Sequence, residues 1–217
     1  MKKKAIVLGG SKGIGAAVSK MLLKENYEVI STNSSILDTS NLNSVRKFTK
    51  KHNSTDFLLL NTGGPEQISD ISKISEKKWV KYFNQLFLGF YIILQNIKIN
   101  KNGYVFLISS HKIKDHDAEL IISSSLRLGF LNVFNAFGKK YIKNNITFLN
   151  IAPGPIKTKR LKNLNVNLKL ISKKVPLGRI GLPGDISNLI LSIIKYRIKY
   201  LNCKTLFVDG GISKDIF

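Results

Sequence analysis

The fold is decided by the stretch Gly9-Gly10-Ser11-Lys12-Gly13-Ile14-Gly15, which follows a short apolar run over residues 5–8. The run is typical of a strand buried on both faces, and residues 14–24 have the periodicity of a helix. Glycines spaced G-x-x-x-G-x-G let the backbone turn tightly and approach a pyrophosphate, and the following helix N-terminus offers N–H donors. A plain strand-to-helix turn is the alternative. The stretch favours the phosphate-binding turn of an α/β dinucleotide-binding fold.

Strand-like and helix-like segments alternate along the chain, which predicts a mostly parallel sheet with helices on both faces, a three-layer sandwich of Rossmann type. Strands are predicted at residues 5–8, 28–30, 57–60, 104–108, 146–151 and 205–208, and helices at 14–24, 79–97, 123–143 and 185–198, the last with Asp185 as its N-cap. We predict a single domain over residues 1–217. The long irregular stretch 157–182 is a candidate lid over the site.

The chain is strongly basic, with 35 Lys and Arg against 13 Asp and Glu and a formal net charge of +22. Binding to nucleic acid or to an anionic membrane is one interpretation. The other is an excess of lysine spread over solvated faces. We favour the second because the densest runs, Lys2–Lys4 and Lys173–Lys174, are short and no aromatic residues are interleaved with them. No specific nucleic-acid or membrane partner is expected, although a positive surface attracts an anionic cofactor or substrate.

Cysteine and histidine are too sparse for a disulfide framework or a metal site. Cys203 is the single cysteine, and His52, His111 and His116 have no ligand spacing. The apolar run after Lys2–Lys4 reaches a glycine after about five residues, unlike a signal peptide. No uninterrupted apolar run approaches the ~20 residues that span a bilayer. We therefore expect a cytoplasmic protein without a metal.

Four predicted strand ends carry residues suited to binding chemistry. They are the glycine turn at residues 9–15, Asn61–Gly64, Ser109-Ser110 and Pro153–Thr158. Ligands bind at the carboxyl ends of strands in open parallel sheets, so these four loops are expected to meet at one site. Their co-occurrence is stronger evidence than any one of them alone.

In this order, these pieces resemble the short-chain dehydrogenase/reductase family over nearly the whole chain. The resemblance extends to Asp38 after the second strand, Trp79 at the start of a long helix, and Val208–Gly211 near the end. It implies a seven-stranded parallel sheet, an NAD(P) cofactor, oxidoreductase activity and, usually, a homodimer or homotetramer.

The resemblance also implies which residues contact the cofactor. By position, the pyrophosphate and adenine ribose would meet the glycine turn, the adenine a loop carboxylate, and the nicotinamide half the ends of two later strands. For the pyrophosphate and adenine ribose these residues are Gly9, Ser11, Lys12, Gly13, Ile14 and Gly15, and for the adenine the residue is Asp38. For the nicotinamide half they are Asn61, Gly63, Pro153, Gly154, Ile156 and Thr158.

The end of the second strand indicates which dinucleotide is preferred. A carboxylate there would bind the ribose 2′-hydroxyl of NAD, but residues 31–35 contain none, and Asn33 is taken as cofactor-facing instead. Lys12 stands where a basic residue can meet a 2′-phosphate. We predict NADP(H) over NAD(H). The short distance from Ile30 to Asp38 also suggests that the family's usual crossover helix is missing.

Three of the four catalytic positions depart from the family pattern of Asn, Ser, Tyr and Lys. Ser110 matches the serine, but Ser123 stands at the tyrosine position and Arg127 at the lysine position, and counting from Trp79 puts Leu86 at the asparagine position. A serine hydroxyl is a far poorer acid than an activated phenol, and arginine stays protonated. The catalytic candidates are therefore Ser110, Ser123 and Arg127. The pattern resembles a branch related to 3-oxoacyl-[acyl-carrier-protein] reductases that lacks the tyrosine.

The source of the proton stays open. His111, or a water held by Ser110 and Ser123, could supply it, and a solvated loop histidine without a role is the alternative interpretation. The function predicted is an NADP(H)-dependent oxidoreductase acting on a carbonyl or alcohol, with 3-oxoacyl thioesters among the substrates considered. The alternatives are a catalytically inactive dinucleotide-binding sensor or partner subunit and, more remotely, a nucleic-acid binder.

Apolar residues of two further regions are interpreted as core or as subunit contacts, not as cofactor sites. The first group comprises Trp79, Phe83, Phe87, Phe90 and Tyr91, and the second, a candidate second interface, comprises Ile190, Leu191, Ile194 and Leu206.

Overall fold

Six parallel strands form one sheet in the part of the chain that the computed structural model describes, residues 2–68, 70–114, 118–163 and 167–213. They are β1 (Lys4–Val7), β2 (Glu28–Ser31), β3 (Ser54–Leu60), β4 (Lys98–Ile108), β5 (Thr147–Pro153) and β6 (Lys204–Val208). Their order across the sheet is β2-β1-β3-β4-β5-β6, and every neighbouring pair is parallel. The predicted parallel α/β fold is confirmed.

The helices connect these strands. They are α1 (Gly13–Lys24), α2 (Leu42–Lys51), α3 (Glu76–Phe83), α4 (Gly89–Asn96), α5 (Ile121–Tyr141), α6 (Lys159–Asn163), α7 (Leu168–Lys174) and α8 (Pro183–Lys195). A π turn over Asn84–Leu88 joins α3 to α4, so the single helix predicted at 79–97 begins earlier and carries one wide turn.

Both faces of the sheet are buried, because alternate side chains of each strand point to opposite helix layers. In β1, Ile6 packs in the cluster formed with α2, α4 and α5, whereas Ala5 and Val7 pack in the cluster formed with α1 and α8. All three side chains are fully buried. This two-sided burial explains why the strands read as continuous apolar runs.

The sheet has six strands in the described residues, not the seven that the family resemblance implies. After β2 the chain makes a short turn to Asp38 and enters α2, and the next strand, β3, pairs with β1, which leaves β2 at the edge. No helix lies between β2 and Asp38. This agrees with the expectation, based on the short distance from Ile30 to Asp38, that the family's usual crossover helix is missing. Helix α2 was not foreseen; its N-cap, Asn41, accepts hydrogen bonds from the amides of Asn43 and Ser44.

Three local predictions need correction. Asp185 is not the N-cap of α8: it lies in the first turn and accepts a hydrogen bond from the amide of Leu182, the actual N-cap residue, at 2.8 Å. Ile190 is fully buried in the core, so it is not available to a second interface. The stretch 157–182 is not wholly irregular, since α6 and α7 lie within it. Its part at 164–166, like His116, lies outside the described residues.

Within the part of the chain that the structure describes, one helix could cross a membrane by length and composition, namely α5 with its flanking turns over Ala118–Asn144. The helix meets this criterion by its average hydropathy, although Arg127 interrupts its apolar run. The helix buries Ile122, Phe130 and Phe134 against the rest of the protein. A core helix passes the same test, so the criterion is weak evidence for a membrane span.

Candidate functional site

A cavity of about 340 Å³ opens at the carboxyl edge of the sheet, where the ends of β3, β4 and β5 meet the start of α1. It brings together nine of the residues that sequence analysis singled out. These are Ile14, Asn61, Ser110, Ser123, Arg127, Pro153, Gly154, Ile156 and Thr158. Segments up to about 140 residues apart in sequence thus converge on one site, as the four strand ends predicted.

The glycine turn is shaped by contacts that exclude side chains. Gly9 and Gly13 have positive φ values of 59° and 55°, which L residues rarely adopt. A Cβ on Gly15 would lie 2.2 Å from the carbonyl oxygen of Gly9, so the backbone of the turn closes directly onto the first turn of α1. Asn61 fixes this closure by donating from Nδ2 to the carbonyl of Leu8 at 3.2 Å.

The start of α1 fits a phosphate group. Its N-cap residue, Lys12, makes no side-chain capping hydrogen bond, so no side chain of the turn competes for the N–H groups there. Anions bind at such helix N-termini because the N–H groups and the helix dipole both favour negative charge. Ser11 and Lys12 are exposed beside this point. The residues present therefore suit a dinucleotide pyrophosphate.

The turn after β2 lies next to the glycine turn, and Gly10 donates from its amide to the carbonyl of Thr32 at 2.8 Å. Asn33 is exposed, but its Oδ1 is engaged by the amides of Ser35 and Ile36. Asp38 is partly buried, and its Oδ1 accepts from the amide and hydroxyl of Ser40. Neither residue lines the cavity, so both would serve the adenosine half if they contact the cofactor.

The loop after β5 closes the opposite wall of the cavity. Gly154 donates to the carbonyl of Val208 at 3.0 Å, and a Cβ on Gly154 would lie 2.7 Å from Cα of Asp209. Ile156 forms a bridge with Gly181. Thr158 reaches the glycine turn, since its Cγ2 would lie 3.0 Å from a Cβ on Gly13. The loop after β5 and the glycine turn, both predicted to contact the cofactor, therefore lie side by side.

Ser110, Ser123 and Arg127 line the same cavity. Ser123 and Arg127 are one helical turn apart on α5, and Nε of Arg127 donates to Oγ of Ser123 at 3.2 Å. The guanidinium also donates to the carbonyl of Ile108 at 2.7 Å. Burial, reinforced by the positive charge of Arg160, lowers the pKa of Arg127 to about 10. Ser110 caps the short turn that follows β4 by accepting from the amide of Lys112.

Arg160, at the start of α6, is a site residue to which sequence reasoning assigned no role. It donates to the carbonyl of Gly64 at 2.5 Å and to that of Pro65 at 2.8 Å, and it lines the cavity. Burial lowers the pKa of its guanidinium. It ties the loop after β3 to the loop after β5. These residues lie almost a hundred positions apart, so no local sequence signal marks the contact.

Leu86 is not a polar site residue. It is 1% exposed and belongs to the core. The polar side chain that the π turn directs toward the loop after β3 is Gln85, whose Nε2 donates to the carbonyl of Gly63 at 2.6 Å and to Oγ1 of Thr62 at 3.3 Å. Gly63 itself does not line the cavity, and its backbone is held by this contact.

His111 lies in the wall of the cavity and is buried, so the interpretation as a solvated loop histidine is wrong. Its Nδ1 lies 3.1 Å from the carbonyl oxygen of Pro153. Because a carbonyl only accepts, Nδ1 carries a proton in this contact, and Nε2 is the nitrogen whose protonation can change.

Comparisons with known proteins show which proteins this chain is similar to. A family model described as enoyl-(acyl carrier protein) reductase matches residues 37–213. The 3-oxoacyl-[acyl-carrier-protein] reductase FabG of Chlamydia pneumoniae is 26% identical, with 97% of each chain covered. That alignment runs over 246 positions, more than the 217 residues of this chain, so the relative contains segments that this chain lacks.

Solved structures show the same architecture. A short chain dehydrogenase family protein from Francisella tularensis superposes with a TM-score of 0.86 at 19% identity, covering 98% of this chain and 99% of that one. A small-chain dehydrogenase in complex with NADPH superposes with a TM-score of 0.84 at 22% identity, with coverages of 98% and 99%. At these identities the likeness establishes the fold.

Proposed function

The chain belongs to the short-chain dehydrogenase/reductase family, and on that premise we propose that it is an NADP(H)-dependent oxidoreductase acting on a carbonyl or alcohol group. The observation that carries the proposal is one cavity that joins Ile14 of the glycine turn, Asn61 and the loop after β5 to Ser110, Ser123 and Arg127. When bound, the nicotinamide cofactor supplies or accepts the hydride.

The chain's own residues would orient the substrate and handle the proton. Ser110 follows the end of β4, and Ser123 lies on α5. Both present hydroxyl groups that can donate to the carbonyl oxygen of a substrate. Arg127 holds the Ser123 oxygen through Nε and so limits its rotation. The proton would come from Nε2 of His111 or from a water held between the two serines. In reduction, the carbonyl carbon gains the hydride and the oxygen gains this proton.

The names of the relatives make 3-oxoacyl thioesters one candidate substrate class. The alternative function is a catalytically inactive dinucleotide-binding sensor or partner subunit. It is favoured by the chemistry of Ser123 and Arg127, because neither side chain is an acid that works near neutral pH.

We expect purified protein to oxidise NADPH with at least one member of a panel of ketones, oxo acids, oxo esters and 3-oxoacyl thioesters. Ser110→Ala should lower kcat by about 100-fold, the usual loss when one donor to a developing oxyanion is removed. Ser124→Ala is the matched control: Ser124 neighbours Ser123, but its Oγ donates to the carbonyls of Leu120 and Ile121 and faces away from the cavity. Rates are followed at 340 nm.

NADPH binding without turnover on any member of the panel would favour the inactive sensor. If His111→Ala keeps the wild-type rate and pH profile while Ser110→Ala is inactive, water and not His111 supplies the proton.

Lys12→Ala should weaken NADPH about tenfold and change NADH less than threefold, because one exposed charge-assisted contact to the 2′-phosphate is lost. Lys24→Ala, at the far end of α1, removes the same charge from the same helix and should leave both dissociation constants unchanged. Fluorescence titration of both dinucleotides measures the effect. Tighter binding of NADH than of NADPH to the wild type would contradict the predicted preference.

We further propose a cytoplasmic homodimer or homotetramer. Three apolar side chains on neighbouring positions of α3 and α5 are exposed in the single chain, namely Val80, Phe83 and Leu128. Phe83 stacks on Phe87, which contacts Phe130 of α5, so the exposed face continues into the core. The lid assigned to residues 157–182 stays a prediction, supported by Ile171 and Lys174 of α7 in the cavity wall.

A further inference from the structure

Two arginines that line the cavity, Arg127 and Arg160, have no acidic partner among the residues that the structure describes. The hydrogen bonds of Arg127 go to Ser123 and to the carbonyl of Ile108, and those of Arg160 go to the carbonyls of Gly64 and Pro65. Among the residues that the structure describes, no Asp or Glu lines this cavity. Burial, together with the repulsion between the positive charges of Arg160 and Arg127, lowers the pKa of Arg127.

Such an arrangement is costly without a ligand. A buried charge normally pairs with an opposite charge, and Arg127 is only 8% exposed. Burial lowers the pKa of both guanidinium groups because it disfavours their charged forms. Arginine is nevertheless the side chain best suited to bind a planar carboxylate through two parallel hydrogen bonds.

We propose that the substrate carries a carboxylate, which binds between Arg127 and Arg160 while its carbonyl group faces Ser110. The substrate class is then an oxo acid or, in the reverse direction, a hydroxy acid, and not the neutral thioester suggested by the names of the relatives. The reduction of the oxo acid rests on the proposed oxidoreductase function, whereas the binding of the carboxylate by the two arginines does not. Lys174, also in the cavity wall, adds to the positive field.

The test compares matched pairs, each an unbranched 2-, 3- or 4-oxo acid and its methyl ester, which share the carbonyl and differ in charge. We expect kcat/KM for the best acid to exceed that for its ester by about 30-fold or more, as for loss of a charge-assisted hydrogen-bonded pair. Arg160→Gln should remove most of this preference while leaving the Kd for NADPH within twofold. Arg160→Lys should restore part of it.

Arg46→Gln is the control, because Arg46 is exposed on α2 and its NH1 donates only to Asn43. Thermal melting of the NADPH complex with each acid and ester provides a second readout that needs no turnover. Acids that raise the melting temperature of the wild type but not of Arg160→Gln would support the anion site even if no acid is reduced. In that case the anion site stands and the proposed oxidoreductase function is wrong. Equal behaviour of acids and esters in both assays would overturn the inference.

Discussion

Gly15→Ala is expected to raise the Kd for NADPH by about 100-fold or more. A Cβ at this position would lie 2.2 Å from the carbonyl oxygen and 2.7 Å from the carbonyl carbon of Gly9, and 3.0 Å from Nδ2 of Asn61. Two of these are backbone atoms, which cannot rotate away as a side chain does. The turn must therefore open by about an ångström. A displacement of that size among residues that position a ligand weakens their effect by about 100-fold, which here means a Kd for NADPH raised by that factor.

Gly184→Ala is the matched control, because a Cβ there meets nothing within 4 Å and the residue lies at the start of another helix, α8. It should bind NADPH like the wild type. Circular dichroism and thermal melting separate a distorted turn from a lost fold. If Gly15→Ala does not fold, Gly13→Ala gives the second measurement: its φ of 55° and its approach to Thr158 predict a weakening of about tenfold. Unchanged NADPH binding by a folded Gly15→Ala would contradict the prediction that the glycine turn binds the cofactor.

The glycine turn could be predicted because its signals are local. Gly9 and Gly13 adopt positive φ values, Gly15 packs against the backbone of Gly9, and the apolar run before them forms a strand buried on both faces. The same holds for the alternation of strands and helices, since the burial of β1 on both faces follows from its composition. The short connection from β2 to Asp38 likewise indicated that an element of the family pattern is absent.

The catalytic half of the site depends on features that spacing does not reveal. Counting from Trp79 reached Leu86, but the structure buries Leu86 in the core, and Gln85 of the same π turn reaches the loop after β3. Arg160 enters the site only because the chain folds back after β5. Its two carbonyl acceptors, Gly64 and Pro65, come from a loop far away in sequence.

Arg127→Met is expected to lower kcat/KM by about 100-fold or more without lowering the stability of the protein. The lowering of the pKa of Arg127 to about 10 corresponds to on the order of 3 kcal/mol against the charged form in the fold. Methionine fills a similar volume without that cost, although the carbonyl of Ile108 loses a donor, which offsets part of the gain. We expect a melting temperature equal to that of the wild type or a few degrees higher.

The sign of the change in melting temperature, read together with turnover, separates this explanation from a structural role. Because the pKa of Arg127 is lower in the folded than in the unfolded chain, its destabilising effect is complete at every pH below about 10 and is relieved only as the pH rises above that value. The difference in melting temperature between Arg127→Met and the wild type should therefore be constant from about pH 6 to 9. Arg46→Met, on the exposed face of α2, should change neither turnover nor melting. A variant that melts several degrees lower yet keeps full turnover would show that Arg127 supports the fold through Ser123 and Ile108. The opposite result would mean that the chain keeps a buried, unpaired guanidinium at a cost in stability because its substrate requires it.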